Sequence, residues 1–522
     1  MKRITALVLC LTLMASLLAG CDQPSEEPHV PTGDALVMEG QDPDSVGPQK
    51  EEDPQKLTLV YYPDRGLNPL TSTDYTNRVI FSLIYQGLFN VLSDYTVEPV
   101  LCRQYQISSD YRTWTFYLEN TAVFSDGTTL TAEDVLATYQ AAMGKGYYAG
   151  RFAHVREIVL NDNGGITFKL DTPYENLPQL LDVPILKASE VAHAAPVGSG
   201  PYVLASALSG THLHRVEDWW CARNATVVAT ADAIPLVEAE NPAQIRDQFE
   251  FYDVGLVCAD PCSDTYADFR CDYELWDIDN GIMMYIGCNS RYVDFLEDTT
   301  LRAMLTYGIN REKIVSDNFS GYAHPVTLPA DPSSPYYSKT LDSKYGYDPV
   351  KFMEFLGRYG KTEEPIRLMV NADDSVRLRV AHDIATTFSD YGLPMEVIEC
   401  SSAKFQQEIY NANYDLYLGT TKLSPNMDLT PFFAPYGSLS RNGIADEALY
   451  SLSLESLANQ GNYYNLHKAV AESGKIIPIA FYGYAVYATR GLLTELTPTR
   501  DNVFCYSLGK TMESAKILTD YD

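Results

Sequence analysis

Hydrophobic positions fall into two regimes along the 522 residues of the chain. Between residues 4 and 18 they form an almost unbroken run behind Lys2 and Arg3, closed by Leu18-Ala19-Gly20-Cys21. That run is too short to span a bilayer and a polar segment follows at once, so residues 1–20 read as a secretory signal peptide. Beyond residue 56 the spacing is that of packed elements. Residues 57–62 alternate apolar and polar side chains and are rich in β-formers, which predicts a strand, and 79–89 has helical spacing. Residues 114–118 predict another strand, Ser125-Asp126-Gly127 a tight turn, and Thr131-Ala132-Glu133-Asp134 a helix start, with Thr131 as cap and the carboxylates at the positive end. Asp162-Asn163-Gly164-Gly165 predicts a hairpin turn between strands 155–160 and 166–170. Strands near 283–288, 366–370, 395–398 and 414–418 alternate with helical stretches near 300–307, 350–359 and 376–391, which indicates a mixed α/β (α+β) body. No later apolar run approaches the ~20 residues of a spanning helix.

Between the two regimes, residues 22–56 carry ten acidic residues, two basic ones and six prolines. Such a segment cannot bury enough apolar surface to offset the entropy of ordering, so 21–56 is expected to be a disordered acidic tether behind Cys21. Its like charges repel, lengthening it and holding the body clear of an anionic bilayer. Leu-Ala-Gly-Cys resembles the lipobox of bacterial lipoproteins, in which the cysteine thiol receives a diacylglyceryl group and becomes the new N-terminus. The resemblance implies lipidation of Cys21 and a location on the outer face of the cytoplasmic membrane, extracellular or periplasmic.

Composition narrows the function. The body is long enough for two or three packed lobes, and 46% of the chain is hydrophobic. A net charge of −31 argues against nucleic acid, whose phosphates need a basic surface. Tyrosine is in excess, 38 against 19 phenylalanines, and offers rigid apolar faces with polar tips suited to gripping a ligand. Cys258, Cys262, Cys271 and Cys288 cluster in one stretch, which permits a disulfide outside the cell without assigning one. No flanking histidines complete a zinc pattern there.

Signs of catalysis are absent from the motifs. There is no Gly-x-Ser-x-Gly elbow, His-Glu-x-x-His, phosphate-binding loop or dinucleotide fingerprint. The proline of Gly198-Ser199-Gly200-Pro201-Tyr202 suits a bend rather than a nucleophile elbow. His212 and His214 share one face of a strand, either as surface residues or as a metal pair. Glu133-Asp134 is accounted for by helix capping. The expectation is no enzyme, no cofactor and no metal, although the paired carboxylates of a glycosidase need no local signature.

Read in order, the body resembles the solute-binding lipoproteins of peptide-type ABC importers, the oligopeptide- and dipeptide-binding proteins of family 5. Leu67-Asn68-Pro69-Leu70 is similar to the family's Leu-Asp-Pro element, and Ile84-Tyr85-Gln86-Gly87-Leu88 to its Ile-Tyr-Glu-Gly-Leu. The block Tyr111-Arg112-Thr113-Trp114-Thr115-Phe116-Tyr117-Leu118, then Val123-Phe124-Ser125-Asp126-Gly127 and Thr131-Ala132-Glu133-Asp134-Val135, is the most diagnostic. Gly198 to Tyr202, Asn289, Leu301-Arg302-Ala303, Ile309-Asn310-Arg311-Glu312, Tyr347-Asp348-Pro349 and Tyr414-Asp415-Leu416 follow in sequence. Most of these residues identify the fold and do not touch ligand; Arg302, for one, is expected to hold a helix by ion pairing.

The resemblance implies a bilobal, periplasmic-binding-protein-like clamp with an additional domain. Lobe I would comprise 57–75, 196–285 and 478–522, the extra domain 76–195, and lobe II 286–477, with hinge strands near 285–289 and 476–479. It implies ligand contacts from Thr73, Asp74 and Tyr75 and from Gly419, Thr420, Thr421, Lys422, Leu423 and Ser424, where a peptide main chain would pair like an added strand. Here the chain departs from the family: a tryptophan near Thr421 and an acidic residue near Leu423–Ser424 are missing, and the first carboxylate is Asp428. Either Asp428 meets the peptide's amine, or the ligand is not a free-amine peptide. Lys422 would favour a ligand carboxylate or face solvent. The implied function is a lipid-anchored, monomeric binding protein delivering an extracellular peptide to ABC permease subunits. A non-peptide solute such as an oligosaccharide or metal chelate, a ligand sensor and a surface hydrolase are the alternatives.

Overall fold

In a computed structural model, the structure describes residues 36–38, 57–504 and 516–518, with breaks at 145, 209, 223–230, 267–268, 292, 360–363, 440–442, 495 and 497. The signal peptide, Cys21 and most of the tether lie outside the described residues. Within the tether, Leu36–Met38 forms a short strand antiparallel to Tyr273–Leu275.

Two long strands, Tyr273–Cys288 and Ile476–Thr489, organise the molecule. They pair antiparallel at the centre of a large mixed sheet and divide it. On one side, Leu416–Lys422 pairs antiparallel with Ile282–Cys288, followed outward by Ile366–Asn371 and Met395–Cys400 in parallel. On the other, Leu256–Ala259 pairs with 485–488, followed by Leu59–Tyr61, Ala233–Glu238, Gly210–Arg215 and Tyr202–Ala207. The central pair stays in contact through 285–287, where the hinge was expected. Its main interruption comes earlier, a register shift between Ile278 and Ile282. Gly281, at φ +70°, takes there a conformation that side chains resist.

A second, five-stranded sheet contains Cys102–Ser108, Thr113–Leu118, Ile166–Leu170 and Val155–Leu160, with Lys516–Leu518 added in parallel on its edge. The 155–160/166–170 hairpin forms as its alternation predicts. Helix Ala132–Gly144 packs against it. Thr131 donates its backbone N–H and hydroxyl to Asp134, whose carboxylate closes the first turn at the predicted helix start. Trp114 and Phe116 are fully buried between this helix and the sheet, which makes them packing residues.

The predicted helix at 79–89 is displaced, running Tyr75–Ile84. It stops there because Gly198 and Gly200 press on its last carbonyls, and Gly200 N–H donates to Ile84 O at 2.7 Å. The Gly-Ser-Gly-Pro-Tyr motif is thus a close-approach device. Arg302 corrects its expectation as well. It is buried and donates to the carbonyls of Ser473, Leu296 and Glu297 rather than to a carboxylate, tying two helix ends together. Arg311 does likewise with Pro478 O and Thr306 O. Cys102, Cys258, Cys271, Cys288 and Cys400 carry free thiols, so the cluster at 258–288 is not closed by a pairing among Cys258, Cys271 and Cys288.

Candidate functional site

A cleft of about 920 Å³ opens between the two sides of the large sheet. That is the upper end of the range for small-molecule sites, about 300–1,000 Å³. One wall is built from the N-terminus of helix 75–84 and the loop that follows strand 256–259. The other comes from the N-terminus of helix Ser375–Asp390 and the ends of strands 366–371 and 416–422. Helix N-termini reach the cleft because Asp74 and Asp374 cap them, accepting from Asn77 N and Arg377 N.

Four of the residues implied by the resemblance, Thr73, Asp74, Tyr75 and Lys422, line this cleft. Tyr75 stacks on Tyr484 with ring centroids 3.9 Å apart and accepts from Asn280 Nδ2 at 3.1 Å. The Tyr75 carboxylate neighbour, Asp74, pairs with Arg65, whose guanidinium lies 3.7 Å over the Tyr62 ring. Lys422 Nζ turns away to Asp501 at 2.5 Å and is not a free surface lysine. Under this lysine Tyr147 forms part of the wall. Burial alone would raise its hydroxyl, but Lys422, Arg78 and Arg151 bring it below its ordinary value.

The remaining implied residues sit beside the cleft without lining it. Gly419, Thr420 and Thr421 pair on one edge with Tyr285, Met284 and Met283. Strand 366–371 covers the other edge only as far as Leu418, so the edge of 419–421 has no strand partner among the described residues. Leu423 is buried, and its carbonyl accepts from Arg500. Ser424 bonds Asn426 at 2.7 Å. Asp428 is buried and accepts from the backbone N–H of Thr430 at 2.8 Å and from its hydroxyl at 2.9 Å, with His154 at 3.7 Å. Its carboxylate is therefore engaged away from the cleft.

Sequence reasoning missed the other wall residues, among them Asp260, Asp373, Asp374, Arg377 and Tyr484. No motif flags them, because they meet only when distant elements pack; the tyrosine excess was the one signal, and it carried no address. His212 and His214 face each other at 6.4 Å on strand 210–215. No group of three or more His, Cys, Asp or Glu residues that could hold a metal ion occurs among the described residues. Nor, among them, is any helix long and apolar enough to cross a membrane.

The sequence profile of the bacterial extracellular solute-binding proteins, family 5 (middle), matches residues 96–443. The glutathione-binding protein GsiB of Escherichia coli K12 is 25% identical over 312 residues, covering 56% of this chain and 59% of that protein. GsiB of Salmonella typhimurium LT2 is 24% identical over 315 residues with the same coverage. The chain thus spans about 59% of the length of the curated relatives it matches. Among solved structures, the substrate-binding protein CtaP of Listeria monocytogenes superposes with a TM-score of 0.70 at 17% identity, covering 84% of this chain and 94% of that one. AppA of Bacillus subtilis, an oligopeptide-binding protein in complex with a nonapeptide, gives 0.63 at 19% identity, covering 88% and 100%. NikZ of Campylobacter jejuni, in complex with Ni(L-His), gives 0.64 at 16% identity, covering 87% and 97%. The fold is the bilobal, periplasmic-binding-protein-like one.

Proposed function

The chain belongs to the bacterial extracellular solute-binding proteins of family 5, and on that premise we propose that it captures a peptide in the cleft and delivers it to an ABC-type importer. The observation that carries the peptide reading is the open edge of Gly419–Thr421 beside the cleft wall at Lys422. An extended main chain adds to such an edge as a further strand, which recognises any peptide backbone and leaves the side chains to the surrounding cavity. The tyrosine-lined opposite wall, with Thr73 to Tyr75, supports the same ligand shape. The names of GsiB and AppA, glutathione and a nonapeptide, are in keeping with it.

A second reading takes the same cleft for a non-peptide solute such as a metal chelate. It is favoured by Asp428, whose carboxylate is taken up by Thr430 and leaves the 420–428 segment without a carboxylate at the cleft, and by NikZ, whose structure holds Ni(L-His).

Thermal-shift screening of the folded body against tripeptide pools, oligosaccharides and nickel–histidine separates the two. A ligand that binds only the folded state at 100 times its Kd stabilises it by about 2.7 kcal/mol. Peptide pools are expected to raise Tm; a shift with the chelate or a sugar alone overturns the peptide reading, and turnover of a hit overturns binding without catalysis.

The lipid on Cys21 belongs to this proposal too. Tethering a monomeric capture domain at the membrane raises its local concentration at the permease. Cys21→Ser is expected to release an intact, ligand-competent protein into the medium or periplasm and to impair uptake. Retention of the variant in the membrane fraction would remove the anchor from the account.

A further inference from the structure

The charges along the cleft do not balance. Its cations are Arg65, Arg377 and Lys422, and each is claimed by a carboxylate: Arg65 by Asp74, Arg377 by Asp374 at 2.7 Å, and Lys422 by Asp501 at 2.5 Å. Two cleft carboxylates remain without an ion-pair partner among the described residues, Asp260 and Asp373. Asp373 is exposed and solvated, and it accepts from Ser402 N at 2.8 Å. Asp260 is half-buried, and the hydrogen bond it accepts is from the backbone N–H of Cys262 at 2.9 Å. Arg379, the nearest candidate, is committed to Asp264 at 3.3 Å.

The surroundings of Asp260 match one kind of guest. Tyr484, stacked on Tyr75, lines the same cleft, so a carboxylate and aromatic rings are both presented to its ligand. A positive group set there gains both the ion pair and the ring quadrupole. Burial and the negative charge of Asp374 raise the carboxyl of Asp260 above its ordinary value, against the Cys262 N–H and Arg379, which lower it.

We propose that Asp260 is the specificity-determining residue of the cleft, holding a primary ammonium of the ligand against Tyr484 from the wall that follows strand 256–259. The proposal rests on the peptide reading above. It also supplies the amine partner that the 420–428 segment lacks. Asp428 is buried against Thr430, and the counter-charge comes instead from the opposite side of the cleft.

Titration calorimetry with a tripeptide pool tests it, using the pool with a free amine, N-acetylated, and N-acetylated with a C-terminal lysine. The free-amine pool is expected to bind about 10- to 100-fold more tightly than the acetylated one, the range for a hydrogen-bonded charge. Recovery with the lysine pool identifies a side-chain ammonium as an equal guest; without recovery, the α-amine is the group read. Asp260→Asn, which keeps the shape, is expected to reduce the free-amine preference to within about twofold while acetylated peptides bind as before. Asp373→Asn, a solvated neighbour, is expected to leave the preference intact. Equal binding of free and acetylated pools by the wild type, or survival of the preference in Asp260→Asn, overturns the assignment while peptide capture stands. Failure of every pool to bind overturns peptide capture and the assignment with it.

Discussion

Lys422 Nζ and Asp501 Oδ1 are 2.5 Å apart, which joins the end of a central strand to the last described loop of the chain. Asp501 also takes Arg151 at 2.9 Å and Arg500 at 3.3 Å, and Arg151 pairs in turn with Asp182. The cleft wall, the second sheet's neighbourhood and the C-terminal stretch therefore share one buried charge node.

Removing the node's centre strands its partners. Asp501→Asn leaves Lys422, Arg151 and Arg500 facing one another with only Asp182 to offset them. A loss of about 3–5 kcal/mol is expected, the range for breaking a buried pair from one side. Urea denaturation measures it, and an effect under 1 kcal/mol would show that water enters the node.

Acid should act on the same node. Burial pushes the Asp501 carboxyl up, but Lys422, Arg500 and Arg151 outweigh it and hold it well below the usual carboxylate range. A depressed folded pKa means stability that is complete above the ordinary aspartate value, about 4, and declines as pH falls below it. Asp182 is raised by burial despite Arg151, so it works in the opposite sense and is relieved as pH falls. Asp501→Asn is accordingly expected to flatten the Tm–pH curve between pH 5 and pH 3 (roughly the aspartate window). An unchanged slope there would mean Asp501 is not the acid-labile group.

His467 sets a separate limit at milder acidity. It is fully buried beside Tyr463, and neither ring nitrogen has a hydrogen-bond partner among the described residues. Burial brings its imidazole down to about 3. The unfolded chain takes up this proton below about pH 6.5 while the folded one refuses it, so stability falls between those values by up to ~1.4 kcal/mol per pH unit. His467→Phe is expected to abolish the part of the loss between pH 6.5 and 5, where Asp501 is still ionised in both states. Chemical denaturation at the two pH values checks it.

Gly198 and Gly200 offer a test of the displaced helix. A Cβ on Gly200 would stand 2.6 Å from the Ile84 carbonyl carbon. Gly200→Ala is expected to destabilise by about 1–3 kcal/mol, the penalty of overpacking. If the mutant instead retained full stability, the helix would have to continue past Ile84, and amide exchange across 84–88 would show it.

Tyr75 separates wall from scaffold. Tyr75→Phe keeps the stack on Tyr484 but deprives Asn280 Nδ2 of its acceptor, so stability should fall by about 1–3 kcal/mol with ligand affinity nearly unchanged. Tyr75→Ala removes the ring as well and should weaken ligand by tenfold or more. Equal affinities for the two variants would take the ring out of the site.

Much of this architecture is legible in order along the chain. Alternation at 155–170, the Thr131–Asp134 helix start and the strand–helix order of 366–422 depend on residues within a few positions of one another, and each appears where its pattern puts it. What escaped are relations between segments far apart. The helix at 75–84 ends early because of glycines more than a hundred positions away. Asp260 looks like any turn aspartate until helix 375–390 is placed opposite. Asp428 carries the charge the family pattern leads one to seek, yet Thr430 claims it. Patterns disclose elements well, but which carboxylates face the same space is a property of packing.

The pairing of strand 256–259 has a bearing on how the chain reaches its native state. It touches Leu59 on one edge and 485–488 on the other, so both halves of the large sheet remain incomplete until residues 476–489 have emerged. Contacts this distant in sequence make for slow collapse to the final topology. A nascent chain cut between Cys288 and Ile476 would lack a central strand, and it would present the long edge of 273–288 to any neighbouring chain. Late closure of the large sheet is thus written into the order of its strands.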